Sequence, residues 1–156
     1  MIFLITQRLI ETEYDDKQEC LDVNWYRFIS KIKNAQLIPI SHCSKVFPDL
    51  VNLIKIDGII LSGGNDLYYV CPNKINKLRD DFEIELYKNA ILYSIPVFAV
   101  CRGAQLLAEY YGATIKKVNN HINCKHDCFT VDNGNYILPK QVNSYHKYGI
   151  YNLENQ

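Results

Sequence analysis

The 156-residue sequence predicts an α/β domain, a mostly parallel sheet covered by helices on both faces, with a smaller strand-rich part toward the C-terminus. Three observations carry this expectation. Short, almost wholly apolar runs alternate with segments whose apolar residues recur at helical spacing. The apolar runs end in polar or glycine-rich turns, as strands buried on both faces do. After Gly112 the helical period gives way to short segments joined by polar turns.

Taken in order, Ile2-Phe3-Leu4-Ile5-Thr6 is a continuous apolar run ending at polar Gln7-Arg8, and reads as the first buried strand. Val23 to Lys33 places Trp25, Phe28, Ile29 and Ile32 at helical spacing, and Leu37 to Ile40 is a short strand. Asp57 to Leu61 is a further buried strand, stopped by Ser62-Gly63-Gly64-Asn65-Asp66. Leu78 to Tyr93 is the longest helical pattern, with Phe82, Leu86, Ala90 and Tyr93 on one face. Pro96 to Val100 is a third buried strand, and Gly103 to Tyr111 a helix closed near Gly112. Beyond it, Thr114 to Val118, Cys128 to Val131 and Tyr136 to Val142 read as short strands, with Asp132-Asn133-Gly134 as a turn between the last two. No repeat, low-complexity tract or linker interrupts the chain, so residues 1–156 form one domain.

Composition narrows the function classes. A hydrophobic fraction of 48% and a charged fraction of 22% are those of a globular protein, and 17 basic residues balance 17 acidic ones. This balance predicts neither a nucleic-acid nor an acidic-membrane partner. The run Ile2 to Ile5 is too short for a signal-peptide core, and no later stretch approaches the roughly 20 apolar residues of a membrane span, so a cytoplasmic location is expected. The six cysteines are scattered without the density of a secreted disulfide scaffold, and a reducing compartment would keep them as thiols.

In an open parallel sheet, ligands gather beyond the carboxyl ends of the strands. Gln7-Arg8, Ser62 to Asp66 and Cys101-Arg102-Gly103 should therefore converge on one crevice. In Val97-Phe98-Ala99-Val100-Cys101-Arg102-Gly103-Ala104-Gln105 a buried strand runs into a cysteine and at once into a helix, the sequence form of a nucleophile elbow. The helix N-terminus favours thiolate over thiol, and the following amide can help to hold an oxyanion. On this segment alone a second reading is equally open, a cysteine packed where strand meets helix. Gly63-Gly64 lets the backbone approach a ligand closely, and is also what a simple turn with positive φ requires.

Ser62-Gly63-Gly64-Asn65-Asp66, Arg79-Asp80-Asp81-Phe82-Glu83, Cys101-Arg102-Gly103-Ala104-Gln105 and Val142-Asn143-Ser144-Tyr145-His146, in this order, resemble the γ-glutamyl hydrolase branch of the class I glutamine amidotransferase-like family. Each motif is weak alone; four in register over nearly the whole chain are specific. The Thr6-Gln7-Arg8-Leu9 start looks like members from bacterial surface-polysaccharide loci, where a cytidine-diphosphate amidate is released from its γ-glutamyl conjugate during capsule phosphoramidate synthesis. The resemblance implies a flavodoxin-like fold, a small-molecule γ-glutamyl substrate and no cofactor; a homodimer is left open. It further implies Cys101 as nucleophile, the Gly64 and Arg102 amides as oxyanion donors, and Gly63, Gln105, Asn143, Ser144, Tyr145 and His146 as pocket residues. Arg79 and Glu83 match a helix-start motif that is structural at least as often as substrate-contacting, and Ala99 stands where many relatives have glycine.

The family's general base belongs to a His-x-Glu motif on a later strand, and the sequence holds no His-x-Glu. The expectation is a domain that stops short of that motif, with His146 in a pocket role rather than as the base. His121, Cys124, His126 and Cys128 offer two nitrogens and two sulfurs, enough for a tetrahedral zinc, but they lack a knuckle spacing and the mechanism needs no metal, so none is expected. Two rivals stand beside the hydrolase: a glutaminase subunit delivering ammonia to a synthetase, and a non-catalytic binding protein that keeps the pocket without the triad.

Overall fold

In the computed structural model, which describes residues 1–43, 47–129 and 139–152, the chain runs as β1 (Ile2–Thr6), β2 (Arg8–Glu11), β3 (Lys17–Cys20), α1 (Val23–Ile29), β4 (Gln36–Ile40), α2 (Phe47–Leu53), β5 (Gly58–Leu61), α3 (Lys74–Leu92), β6 (Val97–Ala99), α4 (Arg102–Tyr110), β7 (Thr114–Lys117), β8 (Ile122–Asp127), β9 (Gln141–Tyr145) and β10 (Tyr148–Tyr151). Four strands form the central sheet in the order β4-β1-β5-β6, all parallel. Side chains alternate across it. Leu4, Ile59 and Leu61 face one side, where they meet Phe47 of α2 and Leu86 and Ala90 of α3. Ile5 and Ile60 face the other, where Ile29 and Trp25 of α1 cover them. Both faces are dry where β1 and β5 meet, which is why these two read as unbroken apolar runs, whereas β6, expected as a third buried strand, lies at the sheet edge and leaves Phe98 59% exposed. Burying one such side chain stabilises the fold by roughly 1.5–3 kcal/mol.

The helices differ from the periodicity at their ends, for local reasons. α3 begins at Lys74, four residues before the apolar pattern, because the Asn73 side chain accepts the Asn76 N–H at 2.8 Å and caps the helix there. α1 stops at Ile29, short of Lys33, in a turn where the Lys31 N–H bonds the Phe28 carbonyl at 3.1 Å and Asn34 takes φ 59°.

Outside the sheet, three two-stranded antiparallel ribbons carry most of what the periodicity missed: β2-β3, β7-β10 and β8-β9. The strand expected over Cys128 to Val131 is displaced to Ile122–Asp127, and β9 begins at Gln141; residues 130–131, the turn 132–134 and the start of the strand expected from Tyr136 lie outside the described residues. The β8-β9 ribbon, which among the described residues joins no buried apolar cluster, gives no apolar alternation to read. Among the described residues, no helix is long and apolar enough to cross a membrane.

One carboxylate fastens the β2-β3 ribbon to the sheet. Glu19 Oε1 accepts the His42 backbone N–H at 2.7 Å and the Ser41 hydroxyl at 2.9 Å, and lies 3.1 Å from His42 Nδ1. The imidazole is buried against Phe82, with ring centroids 4.9 Å apart. Burial holds its pKa below the ordinary 6.5, outweighing the opposing pull of Glu19. The unfolded chain therefore binds more protons than the native protein as pH falls through 6.5, and stability declines with acidification there. The urea midpoint of the native protein should drop more steeply between about pH 7.5 and about pH 5.5 than that of His42→Gln. Parallel slopes would refute the assignment.

Candidate active site

The carboxyl ends of β1, β5 and β6 open on one crevice, and the tightest turn there is at Cys101. This residue sits between β6 and α4 at φ 53°, ψ −109°, with its thiol exposed. Holding a non-glycine residue in that region costs of order 1–3 kcal/mol, so the surroundings must over-determine it. They do so through Val100 N–H to Leu61 O at 2.9 Å, Gly103 N–H to Val100 O at 3.0 Å and Gln105 N–H to Cys101 O at 3.0 Å. Gly103 is pressed onto β5: a Cβ there would lie 2.4 Å from the Leu61 carbonyl oxygen, a backbone atom that cannot move aside. Gly63 backs onto the cysteine, and a Cβ on it would meet Cys101 Cβ at 3.4 Å.

The Ser62–Asn65 loop beside it is aimed from below by a buried guanidinium. Arg79, fully buried on α3, donates to Ser62 O at 2.9 Å, Ser62 Oγ at 3.0 Å, Gly63 O at 3.1 Å, Asn65 Oδ1 at 2.9 Å and Glu83 Oε1 at 3.0 Å. A trans peptide is planar with N–H opposite C=O, and there is no cis bond among the described residues. With the Gly63 carbonyl turned down onto Arg79, the Gly64 N–H must point the other way, toward the cleft that Gly64 lines. Among the described residues, neither the Gly64 nor the Arg102 amide makes a turn or cap bond to backbone. Two free donors thus stand at the rim beside Cys101.

The Arg102 side chain turns inward, where it pairs with Glu83 and Asp80. Two carboxylates and two guanidiniums therefore share one dry site behind the elbow. Burial lowers Arg79 to about 10, opposed by Glu83 and reinforced by the Arg102 charge, so it stays cationic at neutral pH. Burial likewise raises Asp80, against the pull of Arg102 and the Tyr68 amide.

A cleft of about 260 Å³ brings together Cys101, Gly64, Arg102, Gln105, Tyr145 and His146, with Asn65, Asp66, Lys147 and Tyr148 completing its wall. Gln105 donates to Tyr148 O at 2.7 Å and so also ties α4 to β10. Three expected pocket residues are not in this cleft. Asn143 is exposed on β9, and Ser144 is buried, donating its hydroxyl proton to His121 O at 2.9 Å. Their facing follows the β8-β9 register, which shifts at Ile122/Cys124. Gly63 lines an adjoining hollow of about 240 Å³, shared with Arg8 and Trp25. Of the other wall residues, Arg8 and Asp66 were expected at this crevice from their places after buried strands, whereas Trp25 and Lys147 carried no such signal.

The four side chains weighed as zinc ligands do not converge. Cys124 Sγ donates to Asn120 O at 2.9 Å, while His121 and His126 come together with His146 instead.

The sequence profile of the Peptidase C26 family matches residues 4–156. A γ-glutamyl-CDP-amidate hydrolase of Campylobacter jejuni is 37% identical over 157 residues, covering 98% of this chain and 74% of that protein. Two solved structures share the fold at low identity. A GMP synthase-like protein of Thermoplasma acidophilum aligns with TM-score 0.61 and 19% identity over 99% of this chain and 69% of its own. A glutamine amidotransferase of Thermotoga maritima aligns with TM-score 0.60 and 17% identity over 96% of this chain and 61% of its own.

Proposed function

Because the chain belongs to the Peptidase C26 family, of class I glutamine amidotransferase-like proteins, we propose that it hydrolyses γ-glutamyl amides with Cys101 as the nucleophile. One observation supports this most: a strained, exposed cysteine at a helix N-terminus shares a small cleft with two unengaged backbone donors. The thiolate sulfur attacks the γ-carbonyl carbon, and the carbonyl oxygen takes up negative charge toward the Gly64 and Arg102 amides. Collapse expels the amine, which leaves with a proton, and a γ-glutamyl thioester remains on Cys101. Water then attacks the thioester, releasing glutamate and regenerating the thiol.

The cleft is small enough for a glutamyl group, and the leaving group must lie outside it. The hollow bounded by Arg8 and Trp25 adjoins the same Gly63-Gly64 loop. A guanidinium for phosphate oxygens and an indole for a base face suit a γ-glutamyl nucleoside-diphosphate amidate, the substrate named for the Campylobacter relative. A role in capsular polysaccharide phosphoramidate synthesis is the corresponding finer proposal.

The test is glutamate release from three compounds: glutamine, a γ-glutamyl anilide and γ-glutamyl-CDP-amidate. The last should give the highest kcat/KM, and Trp25→Ala should lower kcat/KM for it while leaving the anilide unchanged. Hydrolysis of glutamine alone, and only after a synthetase partner is added, would replace this reading with that of an ammonia-delivering subunit.

A further inference from the structure

We propose that His121, His126 and His146 form a binding site for one divalent transition-metal ion of the zinc class, stapling the β8-β9 ribbon to the rim of the Cys101 cleft. Three of the chain's four histidines meet here, with one ring nitrogen of each within 4.8 Å of the others. Ring centroids lie 4.8 Å apart for His121 and His126 and 5.1 Å for His121 and His146. Nitrogens bound at about 2.0–2.1 Å to a tetrahedral zinc sit about 3.4 Å from one another, so modest side-chain rotations close the set.

The hydrogen bonds around the rings hold them in the form a metal needs. The Ser144 hydroxyl proton goes to His121 O at 2.9 Å, which leaves Ser144 Oγ, 3.3 Å from His121 Nδ1, as the acceptor for an Nδ1–H. His126 Nδ1 lies 3.1 Å from the Asp127 carbonyl oxygen, which can only accept. Both rings are thereby set as the tautomer with a free Nε2 lone pair, the arrangement that orients metal-ligating histidines. His146 Nδ1 is buried with no partner among the described residues. An unpaired buried nitrogen beside two imidazoles costs free energy that coordination would recover.

The ribbon also has a need that a metal meets. Among the described residues, none of β8 or β9 belongs to a buried apolar cluster, and Ile122 is 59% exposed. An isolated two-stranded ribbon is marginal in water, and a structural ion is one of the few devices that substitutes for a core. Three imidazoles select zinc, nickel, copper or cobalt over magnesium and calcium, and leave a coordination position for water. His146 belongs to both places, since it also lines the Cys101 cleft.

The site rests on geometry independent of the hydrolytic reading and is tested by binding alone. Chelator-stripped protein is titrated with Zn²⁺ by calorimetry and with Co²⁺ by visible absorption. One ion per chain is expected, with cobalt d–d bands and no sulfur-to-cobalt charge-transfer absorption. His126→Ala and His126→Gln, each checked for folding by circular dichroism, should bind at least about tenfold more weakly, since even loss of a ligand's hydrogen-bond partner costs that much. Cys101→Ser and Cys124→Ser should bind as the parent does. Equal affinity in both His126 variants and the parent would overturn the site, as would a thiolate charge-transfer band that disappears in Cys101→Ser or Cys124→Ser.

Discussion

Replacing Cys101 with alanine should lower γ-glutamyl amide hydrolysis by more than about 10³-fold, because among the described residues no other thiol lines the cleft to form the thioester. Free-enzyme stability should fall little, or rise, since a side chain exposed to solvent is trimmed from a strained backbone. The same protein should fail to take up a diazoketone analogue of glutamine, while the parent gains one adduct mapping to Cys101. Serine at this position should be nearly as inactive, because an alcohol is a far weaker nucleophile than a thiol at neutral pH. Residual activity within tenfold of the parent, or an adduct on Cys20, Cys43 or Cys71, would remove the elbow from the chemistry.

The largest effect on stability is expected at Arg79→Met. The substitution keeps much of the aliphatic volume but strips Ser62 O, Gly63 O and Glu83 Oε1 of this donor in a dry site and leaves Asn65 Oδ1 with the Leu9 amide alone. Breaking a buried ion pair by removing one partner typically costs about 3–5 kcal/mol, and Arg102 is left as the sole cation between Glu83 and Asp80. Lysine should rescue only in part, since a point charge on a flexible stem cannot span four acceptors as a planar fork does. Urea unfolding measures the loss; a change below about 1 kcal/mol would mean the network is dispensable. Hydrolysis by the folded fraction should also fall, because the Gly64 amide loses what aims it.

The central sheet was legible because its strands are covered on both faces, so Leu4, Ile5, Ile59 and Ile60 announce burial without regard to their partners. The elbow was legible for a different reason: the strand, Cys101 and Gly103 are neighbours in sequence, and a turn is a local object. Arg79 was not. Its carbonyl partners lie 16 and 17 residues away, and a buried guanidinium breaks the apolar pattern from which a core is read. Ser144 and His146 illustrate a third limit. They are two residues apart on one segment and both meet His121, yet only His146 also lines the cleft, a pairing across the ribbon that no periodicity reports. The ribbon β2-β3 was missed because its residues are polar and are fastened by single bonds, such as Asn65 to both Leu9 N and Leu9 O.

The strand order has a consequence for synthesis. β1 lies inside the sheet, between β4 and β5, while its partners begin at Gln36 and Gly58 and the elbow is completed only with β6 at Val97. At about 5–20 residues per second, an emerging chain carries the apolar segment Ile2–Thr6 unpaired for several seconds. Nothing translated before Gly58 can close both its edges. During that interval the segment that becomes a central strand of the native protein is the one most open to chaperone capture or to pairing with another nascent chain.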